Sequence, residues 1–562
     1  MRFSRLVPLA LALVSAAAAQ NVLTQHNDAA RTGADLQETQ LTPASVKAGF
    51  GKLFSLSVDG QIYAQPLVLN GIDIPGKGIR NVVYVATMKN NIYAFDADHP
   101  EEDCPFWKRN LGTPVPYKLI PLNWGSVVDQ YNIKPFIGIT STPVIDPVAG
   151  RIWVAVKTMI SQEDLRYYLY ALDIRTGDIK ATSQPIESGS GVDKLDGKTA
   201  LQRPGLLRAN GMVYLAFGSQ QDGGFYHGWV AAFDEQTLEQ KYVFCATPGD
   251  IFGEGGIWQA GNGPAADAQG NIYIMTGNGA FEDARRFGSS FVKLNPELKV
   301  VDWFTPSNHE KLTLFDIDIG SSGPMLLPNP DPSHNPDQLV GGGKQGYFYL
   351  LDRNKMGHLQ PGHSVAPALQ YLHVSDHWTL DWISWLIPML GYHHIHGGPV
   401  YWNSADQGPL VFIWPEETKL KGYKYNAVTH LQKKPALVGP KAPHGMPGGA
   451  LSLSADGNRN GLLWAAIPLH DDAFVKVVRG TMRVFDANTL EQLWSTDKNE
   501  PEDIFSFAKY CPPTIANGKV YLATFSDRLN VYGLAAPTAP PPAWINTGKP
   551  IKKSHGHGRM HM

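Results

Sequence analysis

Short apolar runs separated by polar turns recur along almost the whole chain. Residues 81–97, NVVYVATMKNNIYAFDA, combine β-branched and aromatic side chains in this way, a pattern typical of β-strands. Many runs are apolar on both faces, as expected where a sheet packs against a neighbour on either side. Helical periodicity is scarce, and its exception, residues 376–390, is interpreted as an insertion in the sixth repeat described next.

The runs are organised as eight repeats, each opening on a small or polar residue followed by proline, or by glycine in its place. The openings are Gln65-Pro66, Thr142-Pro143, Arg203-Pro204, Gly263-Pro264, Gly323-Pro324, Gly398-Pro399, Gly448-Gly449 and Pro512-Pro513. The runs that follow them are VVYVAT (82–87), RIWVAV (151–156), MVYLAF (212–217), NIYIMT (271–276), YFYLLD (347–352), LVFIWP (410–415), LLWAAI (462–467) and KVYLAT (519–524). Such a repeat predicts a ring of small sheets, because no single unit could bury both of its faces.

The sequence therefore predicts an all-β, eight-bladed β-propeller over residues 45–535. We expect a signal peptide at 1–19, with a positive start, an apolar run and small residues before the cleavage point, so that the protein is secreted to the periplasm or outside the cell. Residues 20–44 form an N-terminal segment, and 536–562 a proline-rich tail containing histidines. Function is expected at one end of the central channel, where inner strands and loops converge.

Composition narrows the classes of partner. The net charge of -3 offers no basic surface for nucleic acid, and no later segment is apolar enough to span a membrane. A small-molecule substrate is the partner we expect. Three cysteines, Cys104, Cys245 and Cys511, permit at most one disulfide within the chain.

Three consecutive repeats carry a family resemblance. The fourth reads GGIWQAGNGPAADAQGNIYIMTGNGAF (255–281), the fifth GGGKQGYFYLLDRNKMG (341–357) and the third GSQQDGGFYHGWVAAFD (218–234). Together they resemble the quinoprotein alcohol and methanol dehydrogenases, eight-bladed propellers that hold pyrroloquinoline quinone (PQQ) and a calcium ion. The resemblance implies the same fold, and a quinone and calcium at the channel.

Four residues fall at functional positions of that family. Trp258 matches the tryptophan stacked beneath the quinone, Asn278 the amide that ligates calcium, and Lys344 the cation beside the quinone oxygens. Asp222 is the acid nearest to the calcium-binding glutamate, offset by one residue. A planar quinone can stack on an aromatic ring, and calcium binds hard oxygen ligands. A cation beside the quinone oxygens would stabilise the charge that develops on reduction. The structural alternatives are a tryptophan that plugs the channel, an asparagine that caps a turn and a lysine paired with an acid.

Two family features are missing. There is no pair of adjacent cysteines, which in the family forms a disulfide over the second face of the quinone. The segment TPSNHEKLTLFDIDIG (305–320) lacks the motif that carries the family's catalytic aspartate, and leaves Glu310, Asp316 and Asp318 as candidates for the catalytic base. No haem-attachment motif C-x-x-C-H occurs.

Histidines suggest a transition metal as a further cofactor. In His393-His394-Ile395-His396, strand alternation places His394 and His396 on one face, directly before an inner strand. Two imidazoles so placed could bind a metal or move protons, so His396 is also a catalytic candidate. Histidines satisfied by backbone in a loop are the alternative. The tail histidines His555, His557 and His561 could bind a transition metal weakly, or belong to a solvated tail.

Two functions from different classes remain open. The first is a secreted oxidoreductase that oxidises an alcohol or sugar-type substrate with a quinone, a bound metal or both, in which an acid such as Asp318 takes a proton. The second is a non-catalytic propeller that binds a ligand or an extracellular protein. The missing pair of adjacent cysteines and the missing catalytic-aspartate motif favour the second, whereas Trp258, Asn278 and Lys344 favour the first.

Overall fold

The computed structural model describes residues 20–98, 104–121, 131–220, 222–360, 368–376 and 393–535, which form an eight-bladed β-propeller. The predicted all-β fold is thereby confirmed. The predicted signal peptide, all but the first residue of the predicted insertion at 376–390 and the histidine-containing tail lie outside the described residues. Within the described ranges, no helix combines the length and the apolar character needed to cross a membrane.

Each blade contains four main antiparallel strands, placed from the channel outward. Blades one to four are Leu67–Ile74, Gly78–Ala86, Asn91–Asp96 and Trp107–Asn110; Val144–Asp146, Arg151–Met159, Leu165–Asp173 and Ile179–Thr182; Leu207–Ala209, Met212–Ser219, Trp229–Asp234 and Gln240–Cys245; and Ala265–Ala266, Ile272–Met275, Phe291–Leu294 and Val300–Phe304. Blades five to seven are Met325–Leu326, Gln338–Gly342, Tyr347–Asp352 and Gln370–His373; Val400–Ser404, Gly408–Ile413, Lys419–Asn426 and Leu437–Lys441; and Ala450–Asp456, Arg459–Pro468, Gly480–Asp486 and Gln492–Ser495. Blade eight is Thr514–Ala516, Lys519–Ala523, Arg528–Leu534 and Phe50–Ser57.

Short elements decorate the blades. The minor strands are Ala34–Asp35, Val115–Pro116, Phe136–Ile137, Ser188–Ser190, Asp193–Leu195, Ala200–Leu201, Tyr226–His227, Gly253–Glu254, Phe281–Glu282, Arg286–Phe287 and His430–Leu431. Among the residues that the structure describes, the α-helices are Pro43–Gly49, His309–Leu314 and Thr496–Asn499, and the 3₁₀ turns are Tyr117–Leu119, Gln259–Gly261 and Ile319–Ser321.

The repeat openings mark the inner strands. In seven blades the inner strand begins at the residue after the opening pair, and in blade three it begins at Leu207. Proline is tolerated there because the ladder does not yet require its missing N–H. The predicted follow-on run is the second strand of every blade except the fifth. There, YFYLLD is the third strand, because Gln338–Gly342 pairs between it and the inner strand.

The two ends of the described chain share one blade. Phe50–Ser57 pairs antiparallel with Arg528–Leu534, and Phe50 lies opposite Leu534. The Phe50 ring packs against Trp464 and Trp494, with ring centroids 5.3 and 5.0 Å apart. An aromatic cluster between blades seven and eight therefore reinforces the closure of the ring.

The segment before this strand lies against the inner strands in turn. Backbone bonds join it to blade one at Val68, blade two at Ile145, blade four at Ala266, blade five at Leu326, blade six at Tyr401 and blade seven at Leu453. The buried Arg31 guanidinium donates to the carbonyls of Leu206, in blade three, and Pro264. The backbone N–H of Gln20 donates to Asn517, in blade eight. Residues 20–33 therefore contact all eight blades.

Replacement of Asp35 by asparagine is expected to stabilise the protein at pH 8 and not at pH 4. The residue is fully buried, and burial raises its pKa to about 7. The folded state thus keeps a proton that the unfolded chain releases near pH 4, so stability falls as pH rises between these values. The gain at pH 8 should be about 4 kcal/mol, because each unit of difference between the folded and unfolded pKa is worth about 1.4 kcal/mol. Urea unfolding at both pH values measures it, with exposed Asp73→Asn as the control. An equal gain at pH 4 would contradict the prediction.

Candidate functional site

Residues that precede the inner strands meet in one cavity. Arg203, Ser321, His396 and Tyr510 lie a few residues before the inner strands of blades three, five, six and eight, and all four line a cavity of about 320 Å³. The other lining residues are Asn132, Ser219, Asp222, Trp258, Asp316, Asp318, Lys344, Met446 and Phe474. The cavity therefore occupies one end of the channel, where the sequence predicted it.

Trp258 offers a flat aromatic surface to this cavity. Its indole lies against Gly218, Gly256 and Gly277, where an added Cβ would come within 2.9, 2.8 and 2.5 Å of the ring. Tyr226 packs edge-on against it at 5.8 Å between centroids. Any larger residue at the three glycines would displace the indole. The absence of side chains at these positions therefore leaves the space that the ring occupies. The arrangement leaves the half-buried ring available for stacking.

Lys344 joins two carboxylates at the edge of the cavity. Its Nζ lies 2.6 Å from Asp318 Oδ2 and 2.8 Å from Asp316 Oδ1. Its backbone N–H donates to the Asp318 carbonyl at 2.8 Å. Burial alone would lower the pKa of the amine, but the two carboxylates outweigh burial and raise it, so the amine stays protonated. Lys344 is thus both an acid-paired lysine and a cation facing the cavity.

Asn278 and three acids supply oxygen atoms beside this lysine. Asn278 donates from its backbone N–H to Asp318 and from Nδ2 to Asp316, each at 2.8 Å. Its Oδ1 is buried and has no hydrogen-bond partner among the described residues. Burial and the charge of Asp318 raise the pKa of Asp222 to about 6. Crowded carboxylates beside an unpaired amide oxygen are ligands that suit a hard cation such as calcium.

Arg203 adds a second buried cation. Its guanidinium carbon lies 5.0 Å from the Tyr510 ring centroid, and Nη2 donates to the Trp258 carbonyl at 3.4 Å. Burial lowers the pKa of Arg203, and its Nε has no partner within the described ranges. Its free donor therefore suits an anionic group in the cavity.

His394 and His396 meet a third residue, Glu416. His394 Nδ1 lies 3.3 Å from Glu416 Oε1, and His396 Nε2 lies 4.0 Å from Glu416 Oε2. Burial lowers the pKa of His394 to about 3 and that of His396 far below its usual value, and raises that of Glu416 to about 8. Two neutral imidazoles therefore face a carboxyl group at one side of the cavity.

Most of the predicted site residues are brought together. The cavity is lined by Trp258, Lys344, Asp222, Asp318 and His396, while Asn278 and His394 contact the lining residues directly. Glu310 is the exception. It is exposed in the first turn of the helix His309–Leu314 and does not line the cavity.

Among the site residues whose contacts are described above, Arg203, Tyr510 and Glu416 were not predicted. Arg203 is the one charged residue among the eight opening pairs, a signal that could have identified it. Glu416 directly follows the apolar run LVFIWP (410–415) of blade six, and an acid at the end of such a run is a signal that could have identified it. Tyr510 carries no comparable signal.

The cysteines do not form a disulfide in the described structure. Cys104, Cys245 and Cys511 are all free thiols. Cys511 is buried beside Tyr510, and burial raises its pKa. It therefore acts as a small apolar residue near the cavity, and does not reproduce the cysteine pair of the quinoproteins.

Comparison with known proteins gives structural matches only. No protein-family model matches the chain, and no curated protein matches its sequence. Among solved structures, it is similar to the quinohemoprotein alcohol dehydrogenase ADHIIG of Pseudomonas putida HK5 (TM-score 0.57, 15% identity, 95% of this chain and 83% of that one). The quinohemoprotein alcohol dehydrogenase of Comamonas testosteroni gives a TM-score of 0.57 at 14% identity, over 95% and 82% of the two chains.

A europium-containing methanol dehydrogenase gives a TM-score of 0.59 at 14% identity, and the match covers 92% of this chain and 98% of that one. At such identity, similarity establishes the fold and leaves the chemistry to the site. The chain therefore has the eight-bladed β-propeller fold of the PQQ-type quinoprotein alcohol and methanol dehydrogenases.

Proposed function

We propose that the protein is a secreted, quinone-dependent oxidoreductase that oxidises an alcohol or sugar-type substrate in the channel cavity. The observation that carries the proposal is the set of groups around one cavity: an aromatic face from Trp258, a cation from Lys344 and the carboxylate of Asp318. The fold shared with PQQ-type dehydrogenases supports the same assignment.

The residues present fit a PQQ-type quinone with a hard cation. Trp258 would stack against the planar ring system, and the protonated Lys344 would lie beside its oxygens. PQQ carries several carboxylates, and the free donor of Arg203 suits one of them. The oxygen atoms of Asn278 and Asp222 would hold calcium. When bound, the quinone supplies the two-electron acceptor that the side chains of this chain lack.

Asp318 is the residue best placed to take the substrate's hydroxyl proton. Its side chain is 7% exposed, and its two oxygens are oriented by Lys344 and by the Asn278 backbone N–H. Orientation by two donors holds the carboxylate toward the cavity it lines. Lys344 would also stabilise negative charge that develops as the proton leaves.

Trp258→Ala is expected to weaken PQQ binding by about tenfold to a hundredfold, because it removes stacking worth on the order of 1–3 kcal/mol. Trp258→Phe should retain part of the affinity because it keeps a smaller aromatic face. The parent itself should bind PQQ more weakly than quinoproteins that enclose both faces, since it lacks their cysteine pair. Fluorescence titration of the apo-protein with PQQ, with and without calcium, measures these affinities.

The control is Trp303→Phe, in the same blade, because Trp303 stacks on His358 and does not line the cavity. It should leave PQQ affinity unchanged. Nanomolar binding that survives Trp258→Ala would place the quinone elsewhere. A parent that binds no PQQ at millimolar concentration, in calcium, would refute the quinone function and favour a propeller that binds a different ligand or a protein.

A further inference from the structure

Three potential metal ligands converge at the side of the cavity formed by blade six. One donor atom each from His394, His396 and Glu416 can be chosen so that all three lie within 4.8 Å of one another. His396 and Glu416 are buried, while the side chain of His394 is 29% exposed. They come from two segments, one before the inner strand Val400–Ser404 and one after the strand Gly408–Ile413.

The polar atoms of this cluster have no satisfactory partners. His394 Nδ1, His396 Nε2 and Glu416 Oε2 are buried without a hydrogen bond to any described residue. Burying three unpaired polar atoms is costly, since each forfeits its bonds to water. A histidine satisfied by backbone, the alternative raised by the sequence, does not account for these atoms. A bound cation would accept lone pairs from all three.

The spacing suits a tetrahedral metal. Zinc bonds to nitrogen and oxygen are about 2.0 Å long, which places two ligands of a tetrahedral site about 3.3 Å apart. His394 Nδ1 lies 3.3 Å from Glu416 Oε1, and His396 Nε2 lies 4.0 Å from the other carboxyl oxygen, Oε2. The three side chains are therefore close to this spacing, and adjustment of the side chains would bring one atom of each onto a single ion. Imidazole nitrogen with one carboxylate suits zinc and neighbouring transition metals, whereas calcium prefers oxygen alone.

Backbone contacts hold the two segments in register. The backbone N–H of Glu416 donates to the His394 carbonyl at 3.1 Å, and the His394 backbone N–H donates to Glu416 Oε1 at 3.0 Å. Between the histidines, Ile395 is fixed by Ser321 Oγ, which donates to its carbonyl at 2.7 Å. The ligands therefore project from a fixed framework, as a selective site requires.

We propose that His394, His396 and Glu416 form a site for a divalent transition metal of the zinc class, with one coordination position open toward the cavity. His396 lines that cavity, so a ligand there with an oxygen or nitrogen lone pair could complete the coordination. This site is separate from the proposed calcium ligands Asn278 and Asp222.

Calorimetric titration of the metal-stripped full-length chain with Zn²⁺ tests the proposal. The reference protein carries His555→Ala, His557→Ala and His561→Ala, so that the tail cannot contribute. It should bind one Zn²⁺ with a Kd of about 1 µM or tighter. His396→Ala should weaken binding by at least about a hundredfold, and Glu416→Gln by at least about tenfold, because each removes a ligand.

The neighbouring pair His444 and Glu417 provides the matched control. Glu417 directly follows Glu416 and forms a His–Glu contact of 2.7 Å with His444, but His444 is largely exposed and Glu417 is no part of the cluster. His444→Ala and Glu417→Gln should bind Zn²⁺ like the reference. His394→Ala, at the most exposed ligand, provides a further variant if His396→Ala does not fold. Zinc affinity unchanged in both His394→Ala and Glu416→Gln, or absent from the reference, would overturn the site.

The zinc site and the quinone function fail separately. Trp258→Ala should weaken PQQ binding and leave Zn²⁺ binding unchanged, whereas Glu416→Gln should weaken Zn²⁺ binding and leave PQQ binding unchanged. A protein that binds zinc through these three residues but never binds PQQ would refute only the function proposed above.

Discussion

Asp318→Asn is expected to lower kcat for alcohol or sugar oxidation by about 10²–10⁴-fold, the usual contribution of a positioned general base. The asparagine has nearly the same shape and can still accept the Asn278 backbone N–H, but it cannot take a proton. PQQ affinity should therefore change much less than kcat. Turnover of primary alcohols and aldoses with an artificial electron acceptor, at saturating PQQ and calcium, is the measurement.

Asp316→Asn is the matched control for the base. Asp316 shares Lys344 with Asp318, but its side chain is 65% exposed, so it is poorly placed to work in a dry site. It should retain at least a tenth of the parent kcat. If Asp318→Asn retains that much as well, Asp318 is not the base. A parent that binds PQQ but oxidises no substrate in the panel would support a ligand-binding protein.

Lys344→Met should destabilise the fold by about 3 kcal/mol, because removing one partner of a buried pair leaves the other uncompensated. Asp316 and Asp318 would then repel each other without the cation that joins them. Urea unfolding near pH 7.5 measures this loss.

Restoring charge balance should rescue this variant. Lys344→Met combined with Asp318→Asn should recover at least half of the lost stability, since only one carboxylate then remains. Lys108→Met provides a surface comparison, because Lys108 pairs with Asp59 while 44% exposed, and such pairs contribute about 1 kcal/mol or less. An equally small loss for Lys344→Met would mean that the cavity is wet enough to screen the carboxylates.

The blades could be predicted from the sequence because their signals are local. Each opening proline or glycine ends a loop, and the apolar run after it needs neighbours on both sides, which only a closed ring provides. The fifth blade carries a weaker local signal, because its second strand, QLVGG at Gln338–Gly342, contains two glycines and resembles a turn. Only its pairing with Tyr347–Asp352 identifies this segment as a strand.

The site could be predicted mainly where a segment of the chain resembles a known family. Trp258, Lys344 and Asn278 lie in segments that resemble those of the quinoprotein dehydrogenases. Glu416 and Tyr510 act through contacts between repeats that are far apart in the chain, and no local pattern records such contacts. Glu310 and Asp318 looked equivalent in sequence, and only a short helix that ends between them turns the first toward solvent.

The N-terminal segment has a consequence for how the protein unfolds. Chains of stacked repeats usually lose their units one at a time, because each unit contacts only its neighbours. Here residues 20–33 form hydrogen bonds with every blade. Detaching any one blade therefore also disturbs a segment that contacts all the others. We therefore expect the ring to melt as a single cooperative unit, and removal of this one short peptide to convert that transition into several.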